Sequence, residues 1–283
     1  MTTNGHRKNA TVWIQRFNPD FDRRPYLQPY SITARQGMTL LDALHEIKTH
    51  QDGSVTFRRS CRHAICGSCG MNVNGRNVLV CESPLKDHLD GKGRVTIRPL
   101  PFLPIIKDLV VDRAKFWEHY RQIKPWLLPP DDLPEREFRV SPEEVKALCN
   151  AEKCIMCGLC YSACQVVALN KGYIGPHALL KAFLRTLDPR DSAPGERLDI
   201  VADLTGVWRC HTIFNCIDAC PKSLDPTYAI ETLRNLAARR LAFEEERRER
   251  QARFGEPVEV GPPVRMEPTA RVESPVQTGQ RIT

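Results

Sequence analysis

Cys61-Arg-His-Ala-Ile-Cys66-Gly-Ser-Cys69 is followed after eleven further residues by Cys81. This is the spacing C-x4-C-x2-C…C that holds a plant-type [2Fe–2S] cluster. Four thiolates must converge on two irons, so three come from one wrapped loop and the fourth arrives from a nearby strand. Gly67 and Gly70 suit such a loop, which turns tightly, points backbone amides towards sulfide and often needs positive φ. Zinc is the competing reading of four cysteines. Zinc knuckles, however, pair C-x2-C with another short pair, and a four-residue spacing is unusual for them. His63 sits inside the loop. A Rieske centre would replace two cysteines by two histidines; with four cysteines present, His63 is read as a loop residue able to tune the cluster by hydrogen bonding.

Cys154-Ile-Met-Cys157-Gly-Leu-Cys160-Tyr-Ser-Ala-Cys164 has the bacterial run C-x2-C-x2-C-x3-C, and Cys210-x5-Cys216-x3-Cys220-Pro221 nearly repeats it. In two-cluster proteins of this kind the fourth cysteine of each run ligates the other cluster. Cys154, Cys157 and Cys160 therefore pair with Cys220 around a [4Fe–4S] cluster, and Cys164 joins Cys210 and Cys216. That last set is one ligand short, because Ile213 stands where the full run has cysteine. An aliphatic side chain cannot hold iron, so one corner of the cube is expected to be empty, giving [3Fe–4S]. Cys149 belongs to no run and is read as a small apolar residue on a helix. For His211, next to a ligand, the residue chemistry leaves open a cluster neighbour, a proton donor and a satisfied surface histidine.

These groups need elements to position them. The first hundred residues read as short strands: Thr11 to Phe17 pairs with Tyr30 to Ala34, and Asn74-Gly75 is a two-residue hairpin turn between Met71 to Val73 and Asn77 to Val80. One helix intervenes, capped by Thr39 with Asp42 and carrying Leu40, Leu41, Leu44 and Ile47 at helical spacing. The prolines between Pro99 and Pro104 mark a boundary. Helices follow, one opened by Ser141-Pro142-Glu143-Glu144 and one by Asp225-Pro226 with the stripe Ile230, Leu233, Leu236 and Leu241. The expected division is a [2Fe–2S] unit over 1–104, a helical unit over 105–245 and a proline-rich tail over 246–283. The whole is an α+β chain.

Composition limits the alternatives. The chain has 283 residues, 12 cysteines and a formal net charge of +7. The polar start, Met1 to Ala10, carries no apolar core of a secretory signal, so the thiols are expected to stay reduced. The apolar stretches 105–111 and 178–187 are interrupted by Lys107, Asp108, Lys181 and Arg185, and no run approaches the roughly eighteen apolar residues that span a bilayer. Basic residues are scattered, with one dense cluster at 247–253 interleaved with glutamate, and no binding motif accompanies them. Nucleic acid is therefore not an expected partner.

The three cysteine groups in this order resemble the iron–sulfur subunit of succinate dehydrogenases and fumarate reductases. The resemblance extends from Thr11 to about Arg240. It includes Cys-Gly-Ser-Cys-Gly-Met-Asn at 66–72, Pro-Ile-Ile-Lys-Asp-Leu-Val-Val-Asp at 104–112, and Trp-Arg-Cys-His-Thr-Ile-Phe-Asn-Cys at 208–216 with Cys220-Pro-Lys222. It implies an N-terminal β-grasp ferredoxin domain followed by an all-α ferredoxin-like domain. It also implies a flavoprotein partner with covalent FAD that oxidises succinate, and a membrane anchor holding quinone. Electrons would run from FAD through [2Fe–2S], [4Fe–4S] and [3Fe–4S] to quinone, with the chain on the cytoplasmic face of a bacterial inner membrane. His211 and Ile213 match positions near the quinone. The family usually has proline and then tryptophans after the cysteine at 164; here the run is Gln165-Val-Val-Ala-Leu169, which implies a differently built quinone pocket or one supplied more by the anchor.

Three rival readings rank below this. The first is a fumarate reductase running the same path in reverse. The second is a zinc or scaffold module, which would be colourless and free of sulfide. The third is a nucleic-acid-binding ferredoxin-like protein, which lacks its basic surface. The chain has no dinucleotide fingerprint for FAD, so it is not expected to oxidise succinate unaided.

Overall fold

Alternating apolar residues build the first half. In the computed structural model, which describes residues 8–135, 137–240 and positions 242, 245, 246 and 249, strand β1 (Lys8–Arg16) lies between β2 (Tyr26–Ala34) and β5 (Arg94–Arg98). The β1–β2 pair is antiparallel and the β1–β5 pair parallel. Strands β3 (Gly70–Val73) and β4 (Arg76–Leu79) complete a mixed sheet of order β2-β1-β5-β3-β4. The turn between them has Asn74 at φ 49° and Gly75 at φ 89°, the doubly left-handed turn that Asn-Gly favours. Helix α1 (Leu40–His50) brings Leu40, Leu41, Leu44 and Ile47 against Val12, Ile14, Val95 and Ile97 in one buried core. Thr39 Oγ1 accepts from Asp42 N at 3.1 Å and Asp42 accepts from Thr39 N at 3.0 Å, closing the expected capping box. A sheet grasping one helix is the β-grasp arrangement.

The strand pair β6 (Ile105–Lys107) and β7 (Val110–Val111) follows the proline stretch in sequence, yet it is bonded to the sheet half. Asp108, buried between the two strands, accepts from Arg16 Nε at 3.0 Å, Phe17 N at 3.0 Å and Thr56 N at 2.9 Å. A buried carboxylate requires such partners. The hairpin is thus a strap from the second half back onto the first.

The rest is helical: α2 (Ala114–Gln122), α3 (Pro142–Glu152), α4 (Leu159–Ala163), α5 (Gln165–Leu169), α6 (Gly175–Thr186), α7 (Pro194–Val201), α8 (Asn215–Asp218) and α9 (Pro226–Ala238). Ser141 and Glu144 form the second capping box, and Asp225 caps α9 by accepting from Tyr228 N at 2.8 Å. Helix α6 is central, packing on α9, α7, α3, α2 and α4. Ile230 and Leu233 of α9 are fully buried and Leu236 is partly buried; Leu241, the cluster at 247–253 and the proline-rich tail lie outside the described residues. Among those residues, no helix is long and apolar enough to cross a membrane.

Candidate functional site

The first thiol group is set by loop 61–69. Arg62 and Ala64 hold positive φ, as does Gly67 at 68°, and this winding turns successive amides inward. Ile65 N and Cys66 N donate to Cys61 Sγ at 3.3 Å, Ala64 N donates to Cys81 Sγ at 3.3 Å, and Ser68 N approaches Cys66 Sγ at 3.5 Å. Amides directed at sulfur stabilise thiolates and are a known lever on cluster potential. The backbone amide of His63, followed by that of Cys66, draws the Cys61 thiol down to about 6. Burial, followed by the neighbouring Cys81, pushes Cys69 up to about 12. The His63 ring is exposed, with Nδ1 against the carbonyl oxygen of Cys61 rather than a sulfur.

The second and third runs share one backbone design. Met156 and Thr212, each two residues after the first cysteine of its run, have φ 54° and 53°. Gly158 and Phe214, each four residues after it, have φ 83° and 66°, and a short helix, α4 or α8, starts at the next residue. The two helices pack together, with Asn215 Nδ2 donating to Ala163 O at 3.2 Å. Cys157 and Ile213 hold equivalent positions in this repeat, but Cys157 is 8% exposed and Ile213 43%.

Cys154, Cys157, Cys160 and Cys220 line one small cavity, closed also by Ile155, Leu180 and Leu224. Leu224 N donates to Cys220 Sγ at 3.3 Å. Burial pushes the Cys157 thiol up to about 11 and holds Cys160 well above its ordinary value. Such thiols keep their protons until a metal displaces them. Cys164, Cys210 and Cys216 form a second neighbourhood: burial, then the charge of Cys210, raises the Cys164 thiol, and burial, then the charges of Cys164 and Cys210, raises that of Cys216. Tyr173 is buried beside all three, and burial followed by Cys210 raises its phenol far above the usual range. The donor set therefore fits iron–sulfur cores: soft thiols, amides aimed at sulfur, and a thiol-lined cavity. Among the described residues no three His, Cys, Asp or Glu side chains close on a point as a single ion requires; ligands of a polynuclear core stand around a volume instead.

The first and second groups touch. A Cβ on Gly67 would stand 2.8 Å from Cys157 Cα, and one on Gly70 would stand 2.9 Å from Leu159 Cδ2. Gly67 has the expected positive φ. Gly70 does not; it begins β3 and is small because the second half packs onto it. Asn77 bridges the same seam, with Nδ2 donating to Ser162 Oγ at 2.9 Å and Leu159 O at 3.2 Å.

Sequence reasoning passed over Arg113, which precedes α2. Its Nη2 donates to Met156 O, and its guanidinium lies 4.5 Å from the Phe116 ring centroid and 5.4 Å from that of Trp117. No local pattern marks it, because its partner Met156 is distant in sequence. Cys149 is half-buried on α3, away from the thiol groups' runs, and His211 is exposed.

Residues 11–118 match the family described as "2Fe-2S iron-sulfur cluster binding domain", and residues 146–221 match "4Fe-4S dicluster domain". The succinate dehydrogenase iron-sulfur subunit of Coxiella burnetii is 43% identical over 79% of this chain and 95% of its own length. The corresponding subunit of Paracoccus denitrificans is 41% identical over 81% and 88%. The fumarate reductase iron-sulfur subunit of Mycobacterium tuberculosis is 40% identical over 80% and 91%. A chain of the Mycobacterium smegmatis Sdh1 complex in the apo form superposes with a TM-score of 0.77 at 27% identity, over 83% of this chain and 98% of that one. With a β-grasp half, a helical half and thiol groups in this order, at such identity over nearly the whole of these relatives, the chain belongs to the family of iron–sulfur subunits of succinate dehydrogenases and fumarate reductases.

Proposed function

We propose that the chain is the electron-transfer subunit of a succinate dehydrogenase, with Cys61, Cys66, Cys69 and Cys81 holding [2Fe–2S], Cys154, Cys157, Cys160 and Cys220 holding [4Fe–4S], and Cys164, Cys210 and Cys216 holding [3Fe–4S]. Bound there, the clusters supply a one-electron path from the FAD of a partner flavoprotein to a membrane quinone. The chain's own residues hold the cores at fixed spacing, direct amides at their sulfurs and keep water away. The observation that carries this reading is the contact of Gly67 with Cys157, which supports a short path between the first two groups.

The exposed rim of the first loop, with Arg58, Arg59, Arg62 and Ile65, is the face we assign to the flavoprotein. Ile213 and Phe214, exposed beside the third group, and Leu169, 88% exposed at the end of α5, support a membrane anchor on that side, with His211 and Ile213 near its quinone. This arrangement holds the chain on the cytoplasmic face of a bacterial inner membrane through protein contacts. We divide it into a [2Fe–2S] unit, 1–104, and a helical unit, 105–245, whose first hairpin straps it to the other; residues 246–283 form a tail.

The test is low-temperature electron paramagnetic resonance on the anaerobically purified complex, oxidised and then reduced stepwise, with iron and sulfide quantified. A [3Fe–4S] signal in the oxidised sample, replaced on reduction by [2Fe–2S] and [4Fe–4S] signals, is expected. A silent oxidised sample with a complete third cube would overturn the role given to Ile213. Zinc without sulfide would overturn the whole reading. The relative named as a fumarate reductase subunit supports the reverse direction as a second reading, which cluster potentials and the flavoprotein partner distinguish.

A further inference from the structure

We propose that Arg113 is a fixed counter-charge to the second cluster, raising its midpoint potential above what four thiolate ligands alone would set. The inference rests on the assignment of Cys154, Cys157, Cys160 and Cys220 as that cluster's ligands.

Arg113 stands at the start of α2, yet its guanidinium reaches the loop that carries the second thiol group. Nη2 donates to the carbonyl of Met156 and lies 3.2 Å from where a Cβ on Gly158 would be. Gly158 therefore leaves room for the cation as well as supplying the left-handed turn, φ 83°. Phe116 and Trp117 flank the guanidinium at 4.5 and 5.4 Å, partly shielding it from water and strengthening any charge interaction it makes.

A carboxylate is what such a group ordinarily finds. None of the ion pairs among the described residues includes Arg113, and its Nε is buried without a hydrogen-bond partner. The groups that act on it with opposite charge, once deprotonated, are Cys157 and Cys160, while Arg58 acts on it as a like charge. Burial lowers its proton affinity, but a guanidinium remains cationic in a protein. A half-buried cation without a counter-ion is unfavourable. Four thiolates around an iron–sulfur core supply the missing negative charge. Reduction adds one electron to that core, so a nearby cation stabilises the reduced form more than the oxidised one, and net charge is among the levers on potential.

A purely structural role, in which Arg113 only pins the Met156 carbonyl, makes a different forecast. The experiment is a redox titration of the second cluster's paramagnetic signal in the purified complex, comparing wild type with R113Q, R113M and R113K, with iron and sulfide measured in each. The expected result is a lower midpoint in the Gln and Met variants, a Lys variant near wild type, and first and third clusters unmoved. Neutral variants that keep full cluster content and titrate at the wild-type potential would overturn the proposal, as would a Lys variant shifted as far as Gln. Should both neutral variants lose the second cluster while Lys retains it, the charge is again required; loss in all three assigns Arg113 to structure alone. A wild-type complex without any [4Fe–4S] signal would instead remove the ligand assignment.

Discussion

Gly67 of the first thiol loop lies directly against Cys157 of the second, and a Cβ on Gly67 would stand 2.8 Å from both Cα and Cβ of that cysteine. The two groups are therefore one packed unit, and the loop that carries the first thiol group forms part of the wall around the second.

Gly67→Ala adds a methyl where backbone and a ligand already stand. Overpacking costs about 1–3 kcal/mol, and the left-handed φ adds roughly 1 more. The variant is expected to lose iron and sulfide from both the first and second centres. Gly75→Ala is the matched control, since Gly75 also has positive φ but nothing lies within 4 Å of its added Cβ; its cluster content should equal wild type. Equal losses in both would remove the contact as the cause.

Ile213→Cys places a thiol at the repeat position that Cys157 occupies in the other run. The third centre should gain about one iron per chain and lose its oxidised-state paramagnetic signal as the cube completes. An unchanged signal and iron content would show that Ile213 does not stand at the vacant corner.

Asp108 ties the hairpin at 105–111 to Arg16, Phe17 and Thr56. Asp108→Asn leaves one neutral acceptor oxygen for two amides and a buried guanidinium, and sets an NH2 donor against whichever of them faced the other carboxylate oxygen. Arg16 keeps Asp52 as a partner, so the loss should fall at the lower end for a broken buried pair, about 3 kcal/mol. Denaturant unfolding of the full chain, followed by tryptophan fluorescence, would measure it; a change under about 1 kcal/mol would count against the strap.

His119 is buried, with Nδ1 3.4 Å from the hydroxyl of Tyr161. Burial, followed by Lys115, lowers it to about 4 from an ordinary 6.5. Between these values the unfolded chain takes up a proton that the folded chain refuses, so stability falls as pH drops through that window, by at most about 1.4 kcal/mol per pH unit. His119→Gln should flatten the dependence between pH 6.5 and 4 while leaving stability at pH 8 less affected. Parallel pH profiles for the two proteins would refute the assignment.

Cys149→Ser should retain all iron and sulfide, because Cys149 stands on α3 outside the three runs. Reduced cluster content in that variant would require the ligand sets to be redrawn.

What was legible in the sequence is local. The cysteine spacings, the Asn74-Gly75 turn and the capping boxes at Thr39 and Ser141 each depend on residues a few positions apart, where the chain itself limits the separation. The equivalence of Ile213 and Cys157 was legible for the same reason, since both follow the first cysteine of their run by the same interval. The grouping of Cys220 with Cys154, Cys157 and Cys160 was legible too, from the exchange of the last cysteine between paired runs. Tertiary structure alone decided how the halves meet: Gly70 is small to admit Leu159, Asp108 turns back to Arg16, and Arg113 finds the carbonyl of Met156. Each of these pairs is separated by many residues. No periodicity or spacing encodes such contacts, because they exist only once the sheet half and the helical half have packed and excluded water between them.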